Sequence, residues 1–175
     1  CRPAVAPVLQ ATTSPRRTVG QVGGHTADTA RRVGPVTWDG ACAATDLAVT
    51  ATQLVMDGED ASYALCRPPG HHAYADMAGG FCFLNNTAIA AQRLRDKHQR
   101  VAILDVDVHH GNGPQGIFYD RHHVLTASVP ADPAHYYPYF CRNPYHTGHA
   151  NGTGPHPHLP PALRPVGCPW PGAGR

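Results

Sequence analysis

A short apolar run, Val101 to Leu104, leads directly into the sequence Asp-Val-Asp-Val-His-His-Gly-Asn at residues 105–112. Such a run is typical of a buried strand in a parallel sheet. Two carboxylates at the exit of a buried strand are costly unless a positive group lies beside them. Because side chains alternate along a strand, Asp105, Asp107 and His109 are predicted to project to the same side. The pattern therefore predicts half of a zinc site at the carboxyl end of a strand.

Helix-like and strand-like segments alternate along the first 140 residues. We predict helices over 38–56 and 84–99, a short helix within 111–120, and strands over 62–66, 100–106 and 124–129. This order is typical of an α/β domain with a central parallel sheet. Ligands of such sheets bind outside the carboxyl ends of the strands. The loops at 67–82 and 107–116 are expected at that edge.

Composition and charge narrow the class of protein. The chain has 175 residues, of which 42% are hydrophobic and 15% are charged, which suits one globular domain. Its net charge of +2 is too small to indicate nucleic acid or an anionic membrane as a partner. No apolar stretch could span a bilayer, and the N-terminus has no secretory signal. We expect a cytoplasmic protein with free thiols at its six cysteines, and a homo-oligomer is compatible with the sequence.

The two ends of the chain differ from its middle. Residues 1–37 are rich in Pro, Thr, Arg and Gly and are predicted to be loop-rich. Residues 141–175 contain eight Pro and six Gly and no acidic residue, without helical or strand periodicity. This tail is interpreted as a disordered segment or as a reading-frame error in the source sequence. The predicted division is therefore a domain portion over 1–140 and an irregular tail over 141–175.

Two further loops carry residues suited to chemistry. Arg-Pro-Pro-Gly-His-His-Ala at residues 67–73 places adjacent imidazoles on a loop that its prolines stiffen. Such a pair alone indicates exposed or merely hydrogen-bonded histidines, but beside the Asp-x-Asp-x-His-His segment a catalytic pair is favoured. Gly-Gly-Phe-Cys-Phe-Leu-Asn-Asn at residues 79–86 lets backbone approach a ligand closely. Phe81 is equally compatible with a channel wall and with a core aromatic residue.

These three motifs, in this order and spacing, resemble the histone deacetylase superfamily. Within it, residues 20–140 are most similar to bacterial deacetylases of the acetylpolyamine amidohydrolase type. The resemblance implies a three-layer arginase/deacetylase-type α/β fold with a central parallel sheet, incomplete here at the C-terminus. It also implies a zinc-dependent hydrolase that removes acetyl groups from N-acetylated lysine side chains or polyamines and releases acetate. The expected partner is therefore the acetylated substrate itself.

The resemblance also implies a role for each matching residue. Asp107 and His109 match two of the three zinc ligands. His71 and His72 match the acid/base pair that handles the water at the zinc, and Asp105 orients His71. Which of the two histidines is the base stays open. The remaining matches are His110 and Asn112, which support the site without binding the metal, the channel residues Gly80 and Phe81, and a monovalent cation site, expected to hold K⁺, at Asp105, Asp107, His109 and Ser128.

Some family motifs are not found in the sequence. The third zinc ligand is an Asp in a later segment, and the Tyr that stabilises the oxyanion lies later still. The run His-Tyr-Tyr-Pro-Tyr-Phe, with Tyr136, Tyr137 and Tyr139, precedes that position and is interpreted as structural. Two protein ligands are one fewer than the usual catalytic minimum. We therefore expect a truncated piece of an active enzyme that is inactive by itself.

Two other functions remain open at this point. An arginase-like ureohydrolase would share the fold but bind two manganese ions through an Asp-x-His-x-Asp pattern. Gly111 occupies the third position of that pattern, which favours a single metal. A non-catalytic remnant that binds acetylated ligands would account for the missing motifs. The intact pair of imidazoles beside the metal-ligand pattern argues for catalysis in the parent protein.

Overall fold

The structure is a computed structural model that describes residues 17, 23–29, 32–131 and 136–139. Two strands in this part of the chain form a parallel pair, with Val101 opposite Val124 and Asp105 opposite Ser128. The parallel pairing confirms the predicted α/β architecture. The regular elements are α1 (Thr37–Met56), α2 (Asn86–Leu94), β1 (Val101–Asp105), α3 (Asn112–Phe118) and β2 (Val124–Ser128).

The core lies on one face of the two-stranded sheet. Alternating side chains of the strands point into it, and α2 and α3 cover it. The buried cluster consists of Ala88, Ala91, Ile103, Phe118 and Val124. The ladder holds Asp105 and Ser128 at the carboxyl edge directly above this core. The packed face therefore fixes the position of the edge where the site residues lie.

The opposite face of the sheet is exposed. Leu104 and Leu125, which follow the buried Ile103 and Val124, are 63% and 41% exposed. An alternating strand that buries only one set of side chains has a helical layer on only one side. The described part of the chain thus shows the sheet and one of the two helical layers expected for a three-layer fold.

Helix α1 confirms the prediction over 38–56 and packs outside α2. Its buried side chains recur at helical spacing at Ala41, Ala44, Ala48 and Thr52. The Thr45 hydroxyl donates a hydrogen bond of 2.9 Å to the Asn86 side chain at the start of α2. The helix ends just before Gly58, whose φ of +118° suits glycine.

Helix α2 is shorter than the predicted range of 84–99. It begins after Asn85, whose side chain accepts a hydrogen bond from the Ala88 amide at 2.9 Å. This cap sets the start of the helix two residues later than predicted. It ends at Leu94, and tight turns follow over 95–98. The sequence Arg-Asp-Lys-His-Gln after Leu94 offers no apolar side chain to bury, so packing does not extend the helix.

The predicted strand at 62–66 is wrong. This segment is extended, but no backbone in the described residues pairs with it, and it lies along α1 instead. The Ser62 hydroxyl donates to the Ala51 carbonyl at 2.5 Å, and the Cys66 thiol donates to the Ala44 carbonyl at 3.1 Å. Tyr63 is 86% exposed. A short apolar run is compatible with a strand, whereas a strand also needs a neighbour for its backbone groups.

Several other predictions concern the chain as a whole. Cys42, Cys66 and Cys82 are free thiols, as predicted, while Cys1, Cys141 and Cys168 lie outside the described residues. Within the described ranges, no helix has the length and apolar character needed to cross a membrane. Most of the predicted loop-rich segment at 1–37 and all of the predicted tail at 141–175 fall outside those ranges. The division at residue 140 therefore stays a prediction.

Candidate active site

The loop that carries the paired histidines is fixed to the N-terminal ends of two helices. The Gly113 amide at the start of α3 donates to the His71 carbonyl at 2.9 Å. A Cβ on Gly70 would lie 2.5 Å from the Asn86 amide nitrogen, so only glycine allows this close approach to α2. The Asn85 side chain donates to the Ala73 carbonyl at 2.8 Å. These bonds bring the histidine loop to the carboxyl edge of the sheet, as predicted.

The His71 side chain is hydrogen-bonded to Asp105, the last residue of β1. Its Nδ1 donates to the Asp105 carboxylate at 2.8 Å, since a carboxylate can only accept. Both side chains are largely buried. A Cβ on Gly111 would overlap the Asp105 carboxylate, so the glycine of the His-His-Gly-Asn motif makes room for this pair. The bond fixes the orientation of the His71 ring.

His72 lies beside His71 but bonds to an amide. Its Nδ1 donates to the Asn112 side-chain oxygen at 2.7 Å, and the two imidazole centroids are 4.0 Å apart. Burial, with a smaller contribution from the neighbouring His71, lowers the pKa of His72 to about 4. His72 is therefore neutral at pH 7, with its proton on Nδ1 and a lone pair on Nε2.

Asp107 and His109 lie next to each other just beyond the end of β1. The His109 Nδ1 is 3.1 Å from an Asp107 carboxylate oxygen, and the His109 ring centroid is 6.1 Å from that of His72. Burial raises the pKa of Asp107, but the His109 amide that donates to it and the His71 and His109 rings outweigh burial. Its pKa therefore lies below the ordinary value, and the carboxylate is charged at neutral pH.

A charged carboxylate and an accessible imidazole are ligands that zinc accepts in proteins. In the described part of the chain, no set of three or more His, Cys, Asp or Glu side chains is arranged to hold a metal ion. Asp107 and His109 have the ligand chemistry of two positions in a zinc site. The neighbouring His110 is buried and bonds to Gln115 at 2.8 Å, which ties the loop to α3 rather than to the metal-ligand pair.

The residues predicted to bind a monovalent cation separate into two groups. Asp105 and Ser128 line one small cavity beneath the carboxyl edge, together with Gly111 and Thr126. The Gly111 amide donates to the Ser128 hydroxyl at 3.4 Å. Asp107 and His109 do not line this cavity. The structure thus brings two of the four predicted residues together around one space.

Gly80 and Phe81 form a tight turn at the site. Gly79 and Cys82 exchange backbone hydrogen bonds of 3.1 and 2.7 Å, and φ is +50° at Gly80 and +64° at Phe81. Positive φ at both central residues matches the primed hairpin turns. The backbone turns Phe81 outward, where it is 61% exposed, and places Gly80 against the His72 ring. Phe81 is therefore not a core residue.

Cys82 lies beneath this turn and is fully buried. Burial raises the pKa of its thiol to about 11, so the sulfur is protonated at neutral pH. It accepts a hydrogen bond from the His72 amide at 3.4 Å. A protonated, buried thiol is a poor nucleophile, so Cys82 supports the loop rather than reacting.

The sequence analysis missed two residues of this site. Tyr137, interpreted from the sequence as structural, lies edge-on to His72 with ring centroids 4.7 Å apart. Its hydroxyl donates to Asp28 at 2.7 Å, and burial, together with this bond, raises the pKa of the phenol. The aromatic run after β2 was a signal for Tyr137, because it follows the carboxyl end of a strand. Asp28 lies in a segment that has no motif at all.

Comparisons with known proteins identify the family. A family model described as "Histone deacetylase domain" matches residues 7–163. The chain is 49% identical over 145 residues to an acetylpolyamine amidohydrolase from Burkholderia pseudomallei (strain 1710b), covering 83% of the chain and 42% of that relative. It is 47% identical over 136 residues to an acetylpolyamine amidohydrolase from Mycoplana ramosa, covering 77% and 40%.

A solved structure shows the same similarity. The crystal structure of acetylpolyamine aminohydrolase from Burkholderia pseudomallei matches with a TM-score of 0.78 and 49% identity, covering 81% of the chain and 42% of that protein. The chain therefore spans about two fifths of the length of these relatives. This agreement confirms the predicted deacetylase-type α/β fold. The chain belongs to the histone deacetylase family.

Proposed function

We propose that the protein containing this chain is a zinc-dependent amidohydrolase that removes acetyl groups from N-acetylated polyamines or lysine side chains and releases acetate. The observation that carries the proposal is the state of His72. Its Nδ1 proton is held by Asn112 at 2.7 Å, and its pKa is lowered to about 4. The bond from Nδ1 to Asn112 leaves the lone pair on Nε2, and this atom can accept a proton as a general base does.

In this mechanism His72 moves the proton. Its Nε2 accepts a proton from the attacking water and then donates it to the nitrogen of the leaving amine. His71 is held by Asp105 at 2.8 Å and orients the attacking water and the acyl group. The different partners of the two rings support this division of work, because the rings are of the same type.

Asp107 and His109 would hold the zinc ion. When bound, zinc supplies a Lewis acid that polarises the acetyl carbonyl and lowers the pKa of water. Catalytic zinc sites usually have three protein ligands, so we propose that the third comes from outside the residues described here. Asp105 and Ser128, which line the small cavity beneath the edge, would contribute to a K⁺ site, whereas Asp107 and His109 lie outside that cavity.

The exposed Phe81 and the buried Gly80 would form one wall of the substrate channel. The names of the relatives support an acetylated polyamine as substrate, and an acetylated lysine side chain presents the same terminal amide. Phe81 offers an apolar surface to the methylene groups that both substrates share. His110 and Asn112 support the loop and the base, respectively.

The geometry argues against an arginase-like dinuclear site. Such a site needs a carboxylate at the position of Gly111, and even a Cβ there would overlap Asp105. A second bridging carboxylate would therefore displace the partner of His71. This crowding supports a single catalytic metal.

The test is hydrolysis of N-acetylputrescine and of an acetyl-lysine peptide by the full-length protein, measured as acetate released. His72→Ala should lower kcat by about 10² to 10⁴-fold, because general acid–base catalysis contributes that much. Asp107→Ala should abolish activity together with bound zinc, measured by elemental analysis. The matched control is His122→Ala, since His122 is exposed on the loop before β2.

Either of two results would contradict the proposal. Full activity of His72→Ala would remove the base from the mechanism. Tight binding of both acetylated ligands by the zinc-loaded wild-type protein without release of acetate would favour the non-catalytic alternative.

A further inference from the structure

The carboxylate of Asp28 accepts hydrogen bonds from two groups that lie against His72. We propose that Asp28 is a positioning residue for this imidazole. Its Oδ2 atom accepts a hydrogen bond from the Gly80 amide at 2.8 Å and another from the Tyr137 hydroxyl at 2.7 Å. The inference rests on the proposed function, in which His72 transfers the proton. It concerns how the position of that ring is maintained.

The first group, Gly80, lies directly on the His72 ring. A Cβ on Gly80 would overlap the ring carbon Cδ2, so the glycine backbone forms a close surface for the imidazole. The turn places Gly80 and Phe81 at φ of +50° and +64°. The left-handed region is unfavourable for a residue such as Phe81, so the turn needs stabilising contacts. The bond from Asp28 to the Gly80 amide is one of them, and it is charge-assisted.

The second group, Tyr137, contacts His72 from another direction. The two rings meet edge to face, with an angle of 81° between their planes and 4.7 Å between centroids. Tyr137 lies in the segment that follows β2, whereas Gly80 lies in the loop that precedes α2. A Cβ on Gly79 would lie 3.1 Å from the Asp28 Oδ2 and 3.2 Å from the Tyr137 hydroxyl, so the three segments meet closely. Asp28 joins them through one oxygen atom.

The carboxylate can be removed without detaching its segment. The Ala27 amide donates to the Ala78 carbonyl at 2.8 Å, and the Ala78 amide donates to the His25 carbonyl at 3.0 Å. His25 Nδ1 also lies 2.7 Å from the Asp76 carbonyl. These bonds do not involve the Asp28 side chain. Replacing Asp28 should therefore release Gly80 and Tyr137 while the backbone of the segment stays in place.

Loss of the Asp28 carboxylate should affect proton transfer by His72. Asn112 holds the His72 ring at Nδ1, while Gly80 and Tyr137 limit its tilt. Loosening these two contacts lets Nε2 move away from the line of proton transfer. Small displacements of a catalytic group lower kcat strongly. Because Asp28 itself is not proposed to bind the substrate, KM should change less than kcat.

The structural test uses NMR on the full-length protein. The wild type should show a Gly80 amide protected from exchange and a nuclear Overhauser effect between the Gly80 Hα and His72 Hδ2 protons. In Asp28→Ala, the Gly80 amide should exchange about tenfold faster or more, and the Overhauser effect should weaken. Asp28→Asn keeps an oxygen acceptor and should stay close to wild type. Asp120→Ala is the control, because Asp120 is exposed in the turn just beyond the end of α3.

The kinetic test uses the full-length protein with acetylated substrate. Asp28→Ala should lower kcat about tenfold or more with a smaller change in KM, and Asp28→Asn should recover most of it. An unchanged Gly80–His72 Overhauser effect in Asp28→Ala would overturn the inference, and so would a lost effect with wild-type kcat. If the wild type hydrolyses nothing, the proposed function fails, while the Overhauser comparison still decides whether Asp28 positions His72.

Discussion

The two adjacent histidines differ in the group that accepts a hydrogen bond from the Nδ1 atom of each ring. His71 donates to the carboxylate of Asp105, and His72 donates to the amide of Asn112. The same imidazole chemistry is therefore placed in two electrostatic environments. A change at position 112 should alter the protonation of His72 more than its position, since Asn and Asp have the same shape.

Asn112→Asp should raise the pKa of His72 above its value of about 4, because a carboxylate favours the protonated ring. The measurement is an NMR titration of the ring protons in the metal-free chain. Gln115→Glu makes the same replacement of an amide by a carboxyl beside His110 and should leave the titration of His72 unchanged. An unaltered His72 titration in Asn112→Asp would show that the side chains are not bonded.

The low pKa of His72 also links folding stability to pH. Folding lowers the pKa of His72 from 6.5 to about 4. As the pH falls below 6.5, the unfolded chain therefore binds a proton at His72 before the folded chain does. The free energy of unfolding should therefore decrease between pH 6.5 and 4, by about 2 kcal/mol at pH 5 relative to pH 7. Urea unfolding at the two pH values measures this loss. His72→Gln should reduce it, and an equal loss in that variant would contradict the assignment.

At the scale of elements, helix α2 depends on its N-cap residue, Asn85. Asn85 accepts from the Ala88 amide at 2.9 Å and donates to the Ala73 carbonyl at 2.8 Å, so one buried side chain begins the helix and holds the histidine loop. The bond from the Ala88 amide is local to the start of the helix, whereas the bond to the Ala73 carbonyl connects the helix to the histidine loop. The cap is therefore both a helix signal and a site contact.

Asn85→Ala should destabilise the chain by about 1–3 kcal/mol, since it removes a cap and leaves a buried carbonyl without this donor. Thr87→Ala is the matched control, because Thr87 is exposed in the first turn of the same helix. It should change stability by less than about 0.5 kcal/mol. Equal losses in chemical denaturation would indicate that the cap contributes nothing specific.

At the scale of the whole molecule, the sheet has one buried and one exposed face. Ile103 is 6% exposed in the core, and its neighbour Leu104 is 63% exposed on the other side. The site lies at the carboxyl edge, between the packed face and the loops. Its residues come from before α2, the end of β1, the start of α3 and the segment after β2.

Ile103→Ala should lower the free energy of unfolding by about 2–4 kcal/mol, because it leaves a cavity beside Phe118 and Val124. Leu104→Ala should cost less than about 1 kcal/mol in the 175-residue chain, since its side chain is already in water. Urea titrations of both variants give the comparison. A larger loss for Leu104→Ala would mean that the second face is covered in solution.

Local patterns were sufficient for much of the fold and the site. The apolar run before Asp105 predicted β1, helix-like and strand-like segments predicted α1 and β2, and the family resemblance implied that Asp105 orients His71. Each of these inferences depends on residues that are close together in the sequence or on motifs that resemble those of a known family. The strand prediction at 62–66 was wrong because a short apolar run cannot indicate whether a neighbouring strand is present.

Tertiary packing alone placed Tyr137 against the His72 ring and Asp28 within hydrogen-bonding distance of Tyr137. Asp28 and Tyr137 are 109 positions apart, and no period or motif joins them. Their contact exists because the N-terminal segment lies against Ala78 and the chain after β2 returns to the same edge. The amino acid types therefore specify what each side chain can donate or accept, and packing over long sequence distances selects the partner it finds.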